Sequence, residues 1–248
     1  MFSEDELTED KFLGGKLTLL QPKHGYRAGT DPVFLAAACP AVAGQSVLEL
    51  GCGSGTALLC LNHRVAISPT GVERLPEYAD LAAKNFTRNG FGPDIHIADI
   101  AALPLHIRDQ TFDHVILNPP YFQGGHKATN EGRAMGRQEE TPLEIWVDQA
   151  LRRTKPKGHI TLIHLTERLS DIISVLNKRA GDIEIKPLSS RESRNPKRII
   201  IRARKGSKGP TTLYNPLIIH QGNQHDTDRD STSDEAKSIL RDGLLLKF

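Results

Sequence analysis

The sequence has little of what most simply classifies a chain. Only 3 of its 248 residues are cysteine. Cys39, Cys52 and Cys60 are odd in number and form neither a CxxC nor any pair at metal-ligand spacing, which argues against a disulfide framework and a structural zinc. The 10 histidines include no HExxH and no close pair, so no metal is expected. No window approaches the roughly 18 uninterrupted apolar residues of a membrane span, and MFSEDELTEDKF has no apolar segment of the secretory kind. The expectation is a cytoplasmic protein with no membrane association and no obligate protein partner. With no internal repeat and no dividing linker, 1–248 is expected to be a single domain: a cover over 1–45, a core over 46–205, and a strand, loop and helix over 206–248. A strong bias of charge is also lacking, since the net charge is +2. Its distribution is uneven. The only charged residues among the first ten are acids, whereas Lys186 to Lys208 holds nine Lys or Arg against the single acid Glu192. A basic patch for a polyanion and a solvated strand face account for that stretch equally well.

What is present is alternation. Short apolar runs at Ser46–Gly51, Thr70–Glu73, Ile95–Ala98, Asp113–Asn118 and His159–Leu165 are separated by helical patterns at Thr56–Arg64, Pro76–Asn89 and Leu143–Thr154. This is the signature of strand–helix–strand units in a parallel sheet. A helix is expected from Glu167 to Ala180. Strands over Ile183–Leu188, Arg198–Arg204 and Leu213–His220 then suggest an antiparallel edge on that sheet. GNQHDTDRDST, 221–231, reads as a polar loop. Thr232 and Glu235 suit a capping box for a last helix ending near Arg241.

LELGCGSGTALL places Gly51, Gly53 and Gly55 between the first core strand and a helix, where side chains would keep the backbone from a ligand. Glu73 ends the next strand, where a carboxylate accepts both hydroxyls of a ribose. A nicotinamide cofactor uses the same crevice. The GxGxG spacing, Glu49 two residues before the first glycine, and Asp99 after the third strand point instead to a ligand with a cationic amino acid at one end and adenine at the other. S-adenosylmethionine is such a ligand: Glu49 would face its ammonium and sulfonium end and Asp99 its adenine amine. A turn or cap role would also explain Asp99.

ILNPPYFQGG, 116–125, ends a buried run in an amide, two prolines and an aromatic. An exocyclic amine is a poor nucleophile while its lone pair is delocalised, and acceptors placed where its hydrogens will point favour the tetrahedral form. The Asn118 side-chain oxygen and the Pro119 carbonyl suit that task, Pro120 stiffens the turn, and Tyr121 offers a flat face for stacking. VLELGCGSG, Glu73, Asp99 and NPPY, in this order, resemble the Rossmann-like S-adenosylmethionine-dependent methyltransferases that modify amino groups. The resemblance implies an α/β fold: a seven-stranded, mostly parallel sheet with an antiparallel edge and helices on both faces. It also places Asn118 beside the cofactor as well as the amine.

HGYRAGTDPVFLAAA, 24–38, and SSRESRNPKRIIIRARKG, 189–206, resemble more narrowly the bacterial enzymes that methylate N6 of an adenine beside the anticodon of a valine tRNA. From that family Tyr26, Arg27, Gly29, Thr30 and Asp31 are expected over the cofactor, with Thr30 or Asp31 capping a helix that points at the cofactor carboxylate. Arg191, Arg194, Lys197, Arg198, Arg202 and Arg204 are expected to meet tRNA phosphates. Lys127, Arg133 and Arg137, in the Gly-rich segment 122–141, are expected at the substrate mouth. Pro32 and the stretch 221–231 depart from the family pattern. Two other amine substrates are open to NPPY: the glutamine amide of a release factor, and a guanine amine of ribosomal RNA.

Overall fold

A computed structural model describes residues 1–123, 138–139, 141–222 and 231–248. Lys127, Arg133 and Arg137 lie outside the described residues, as does most of the 221–231 stretch.

The chain starts with a hairpin of β1 (Leu7–Phe12) and β2 (Leu17–Pro22), then α1 (Asp31–Ala38). The core alternates β3 (Ser46–Leu50), α2 (Thr56–Arg64), β4 (Ser68–Glu73), α3 (Pro76–Arg88), β5 (Ile95–Ile97), α4 (Leu105–Arg108) and β6 (Phe112–Leu117). The short strands β7 (Phe122–Gln123) and β8 (Gln138–Glu139) pair with each other. The rest is α5 (Leu143–Arg153), β9 (Thr154–Leu165), α6 (Leu169–Leu176), β10 (Ala180–Ser189), β11 (Arg198–Lys205), β12 (Thr211–Leu213), β13 (Leu217–Ile218) and α7 (Asp234–Asp242).

The main sheet runs β12-β10-β11-β9-β6-β3-β4-β5, with β13 also on β10. Seven of these strands form the expected mostly parallel sheet, and β12 and β13 extend it. The antiparallel element is β11, inserted between β9 and β10, while its neighbours all run one way. β3 and β6 are buried over almost their whole length, as strands covered on both faces must be. Pleating sends Val47, Ile116, Ile163 and Ile200 into a core with α1 and α2, and Leu48, Leu50, Val115, Leu117 and Ile201 into a second core with α5 and α6.

Several boundaries differ from expectation. The helix expected over Glu167–Ala180 is a short 3₁₀ turn followed by α6, and the chain re-enters the sheet at Ala180. The strand expected from Leu213 to His220 breaks in two around Pro216, which has no N–H for a ladder. Ser233, not Thr232, caps α7, its hydroxyl accepting from Ala236 N at 3.2 Å. The first hairpin was not anticipated, since its outer strand, LTEDKF, carries a mixed pattern.

Two asparagines one turn apart, Asn85 on α3 and Asn89 at its C-cap, hold that hairpin in place. Asn85 accepts from Leu20 N (2.7 Å) and donates to the carbonyls of Leu20 and Ser54, both at 3.0 Å. Asn89 accepts from Thr18 N (3.0 Å) and donates to Thr18 O (2.9 Å). The two side-chain amides serve β2 as a substitute strand, and Asn85 ties it to the glycine turn.

Candidate active site

A cleft of about 770 Å³ opens at the C-terminal ends of β3, β4 and β6, where α/β sheets bind ligands. At the end of β3 the chain turns through Gly51, Gly53 and Gly55, all at positive φ. Gly51 and Cys52 donate to Val72 O at 2.8 and 3.0 Å, which pins the turn to β4. A Cβ on Gly51 would come within 2.6 Å of the Trp146 ring at a φ of +69°, so any other residue here is strained and must displace that ring. Gly53 faces Tyr26 across the cleft. Gly55 differs: it starts α2 packed against Phe86 and Ala82, and is absent from the cleft lining.

Glu73 receives Gly53 N on one carboxylate oxygen and Leu75 N on the other, both at 2.9 Å. The Arg74 backbone also bonds it, and since a carboxylate has about four acceptor positions, capacity for a ligand hydroxyl is left. Glu49 is buried, and of its oxygens one accepts from Leu58 N at 3.2 Å. Burial first, with Glu73 nearby adding to it, pushes its pKa well up. Burial likewise raises that of Glu73. Asp99 lines the cleft and also caps the turn after β5, accepting from Ala101 N at 2.8 Å. The residues fit S-adenosylmethionine on three observations: a turn of positive-φ glycines, spare acceptor capacity at Glu73, and a buried acid, Glu49, whose charge a cationic ligand would restore.

The segment before α1 forms one wall. Tyr26 is held by its backbone, whose N and O bond the Tyr78 hydroxyl at 2.8 and 3.1 Å. Gly29 and Thr30 line the cleft. Arg27 borders it too, but its guanidinium is committed to the first hairpin, donating to Thr8 Oγ1, Pro22 O and Asp10. Thr30 stands at the start of α1 without a side-chain cap bond, and Asp31 does not cap either. The Asp31 carboxylate instead crosses the cleft, with one oxygen 2.8 Å from the Tyr121 hydroxyl and 3.1 Å from Arg198 Nε.

Asn118, Pro119, Pro120 and Tyr121 leave the end of β6 along the same cleft. The Tyr121 hydroxyl is also 2.8 Å from Asn118 Oδ1. Burial, then Asp31, raises the Tyr121 pKa, which keeps the hydroxyl protonated. The sequence suggests that the ring offers a flat face for stacking. Arg198 covers one, with its guanidinium carbon 4.5 Å from the centroid, and His164 meets the ring at 5.1 Å in a T-shaped contact.

The basic residues divide. Lys197 and Arg198 line the cleft mouth, and Arg194 is exposed on the preceding turn. Arg191 is buried and donates to the carbonyls of Gln221 (2.5 Å) and Gly222 (2.8 Å), so it clamps the chain there and is not presented to RNA. Arg202 is likewise enclosed, paired with Glu184 at 2.8 Å and stacked over Phe248. Arg204 is exposed six residues along β11 from Arg198, roughly 20 Å from the mouth at about 3.4 Å per residue. Sequence reasoning missed Trp146, Tyr78, Leu75 and Ile100, the apolar walls of the cleft. Trp146 lies within the helical pattern expected over Leu143–Thr154, and such a pattern marks a buried face without saying what it faces.

A family model described as a methyltransferase domain matches residues 47–131. A tRNA1(Val) (adenine(37)-N6)-methyltransferase from Porphyromonas gingivalis is 32% identical over 209 residues, covering 78% of this chain and 81% of the relative. The fold is shared with the crystal structure of a predicted O-methyltransferase from Agrobacterium tumefaciens, at a TM-score of 0.70 and 23% identity over 88% of this chain and 98% of that one. It is also similar to a chain solved in complex with SAH, at a TM-score of 0.60 and 15% identity over 82% of this chain and 57% of that one. Glycine turn, acidic cleft and NPPY segment thus coincide with a relative matched along most of its length, and this chain, an S-adenosylmethionine-dependent methyltransferase, belongs to the tRNA1(Val) (adenine(37)-N6)-methyltransferase family.

Proposed function

We propose that the protein methylates N6 of an adenine in tRNA, beside the anticodon of a valine tRNA, in the cytoplasm. The observation that carries this reading is that Asn118–Tyr121 and the Gly51–Glu73 pocket line one continuous cleft, with Lys197 and Arg198 at its mouth. When bound, S-adenosylmethionine supplies a methyl group on a positively charged sulfur. Glu73 would hold the ribose, Asp99 the adenine, and Glu49 would lie toward the ammonium and sulfonium end. Asn118 Oδ1 and the Pro119 carbonyl would accept the two hydrogens of the target amine and draw its lone pair out of conjugation. No base is needed beforehand, because the amine loses its proton after it gains the methyl. The target base would lie against the uncovered part of Tyr121 or against the Arg198 guanidinium, since both are flat and both serve as stacking platforms for unpaired bases. Arg194 and Lys197 would meet the phosphates around that base.

The test is incubation with labelled S-adenosylmethionine and, separately, unmodified tRNA, ribosomal RNA and release factor, followed by nucleoside and peptide analysis. Label at N6 of adenine in tRNA is expected. Label confined to release-factor glutamine or to ribosomal RNA guanine would replace the reading.

A further inference from the structure

The Tyr121 hydroxyl stands 2.8 Å from Asp31 Oδ2 and 2.8 Å from Asn118 Oδ1. A phenol has one proton, so it cannot donate to both. A charged acceptor makes the stronger bond, and Asp31 is itself fixed by Arg198 Nε at 3.1 Å. The proton therefore goes to Asp31, and the Tyr121 oxygen faces Asn118 with lone pairs. Two lone-pair oxygens at that distance repel. A half-turn of the Asn118 amide removes the conflict, because its oxygen and nitrogen exchange places at almost no steric cost. Nδ2 then donates to Tyr121, and Oδ1 is turned away from Tyr121.

We propose that Asp31, acting through the Tyr121 hydroxyl, is a positioning residue that holds the Asn118 amide with its oxygen toward the target amine. This rests on the amine-methylation reading and deepens it. The orientation matters because the opposite one would set an NH₂ against the substrate NH₂, donor against donor. It assigns Asp31 a task other than covering the cofactor, and it separates the Tyr121 hydroxyl from the ring. The raised pKa of that hydroxyl agrees, since a proton must remain there for Asp31 to receive.

The variants are Tyr121→Phe, Asp31→Ala and the pair together, in the full chain. Tyr121→Phe keeps the ring and its contacts with Arg198 and His164. Each single variant is expected to lower kcat for tRNA about tenfold, the worth of one hydrogen bond at the transition state. For Tyr121→Phe, which leaves the Asp31–Arg198 pair in place, KM for tRNA and the Kd for S-adenosylmethionine should stay within about twofold of wild type. The double variant should be no worse than the poorer single one, because both act on the same amide. A second readout needs no turnover: in ¹⁵N-labelled protein the Asn118 side-chain NH₂, assigned by its loss in Asn118→Ala, should be protected from solvent exchange, and either single variant should remove the protection. Unchanged kcat with unchanged protection in Tyr121→Phe, or multiplied losses in the double variant, would overturn the proposal. If the wild-type protein modified no tRNA while Asn118 protection still depended on Tyr121 and Asp31, the amide orientation would stand and the substrate reading would fall.

Discussion

The proposed reaction concentrates its chemistry at one side chain, Asn118. Asn118→Ala should keep S-adenosylmethionine binding, measured by calorimetry, yet lose on the order of 10²-fold or more in kcat, as when one preorganised polar group is removed. Unchanged turnover would mean the amine is held elsewhere. Gly51 makes the opposite case, a residue defined by what it lacks. Gly51→Ala places a Cβ 2.6 Å from Trp146 at a φ of +69°. It should cost on the order of 1–3 kcal/mol in stability and lower cofactor affinity, both readable from denaturation with and without ligand. A wild-type denaturation curve would show that Trp146 can yield. Gly51 and Asn118 were both legible in the sequence, because a glycine between strand and helix, or an amide before two prolines, has few other uses. Arg191 and Arg202 were not. An arginine in a basic run reads the same whether it faces phosphate or, as here, the carbonyls of Gln221 and Gly222 or the pair Glu184 and Phe248.

Among the elements, α3 and β11 do more than fill a layer. α3 holds the first hairpin through Asn85 and Asn89, and Asn85→Ala would leave Leu20 N and two carbonyls without their partner. The expected loss is on the order of 2–3 kcal/mol, seen as a lower denaturation midpoint, with faster amide exchange at Leu20. Unaltered exchange at Leu20 would show that the hairpin is held by its apolar contacts alone. β11 runs against its neighbours, so its first residues, not its last, reach the cleft. Arg194→Ala with Lys197→Ala should therefore weaken tRNA binding and reduce the slope of log affinity on log salt by about 2, whereas Arg204→Ala should leave the slope alone. An equal effect from Arg204 would place the RNA along the strand instead of at the mouth.

For the molecule as a whole, acid sensitivity follows from its buried histidines. Burial lowers His114 to about 4, helped by His159, and lowers His164 to about 4, helped by Arg168. Unfolded, each titrates near 6.5. Below that pH the unfolded chain binds more protons, so their contribution is complete above about 6.5 and is lost as pH falls toward 4, on the order of 2–3 kcal/mol each. Asp113 adds a later loss. Despite the desolvation that opposes it, bonds from Ser46 and Lys155 hold it down at about 2. Glu49 and Glu73, with pKa values raised by burial, act in the opposite sense and stabilise the fold as they take up protons, so the histidine contribution is read as a difference between proteins. Between pH 6.5 and 4 the urea midpoint of His164→Gln should fall less than that of the wild type, and identical profiles would contradict this account.

Apart from the short α4, β7 and β8, the order of strands and helices from Ser46 to Leu165 was readable from one dimension, because the period of apolar residues follows directly from which faces a sheet must bury. The glycine turn and NPPY were readable too, since backbone conformation and missing donors are properties of a few adjacent residues. The first hairpin, the split of the basic run and the reach of Asp31 to Tyr121 were not. Each depends on partners far apart in the chain, 65 residues for Asn85 and Leu20 and 167 for Arg198 and Asp31. Hydrogen bonds and ion pairs act over a few ångströms, and only the packed sheet brings such partners within that range.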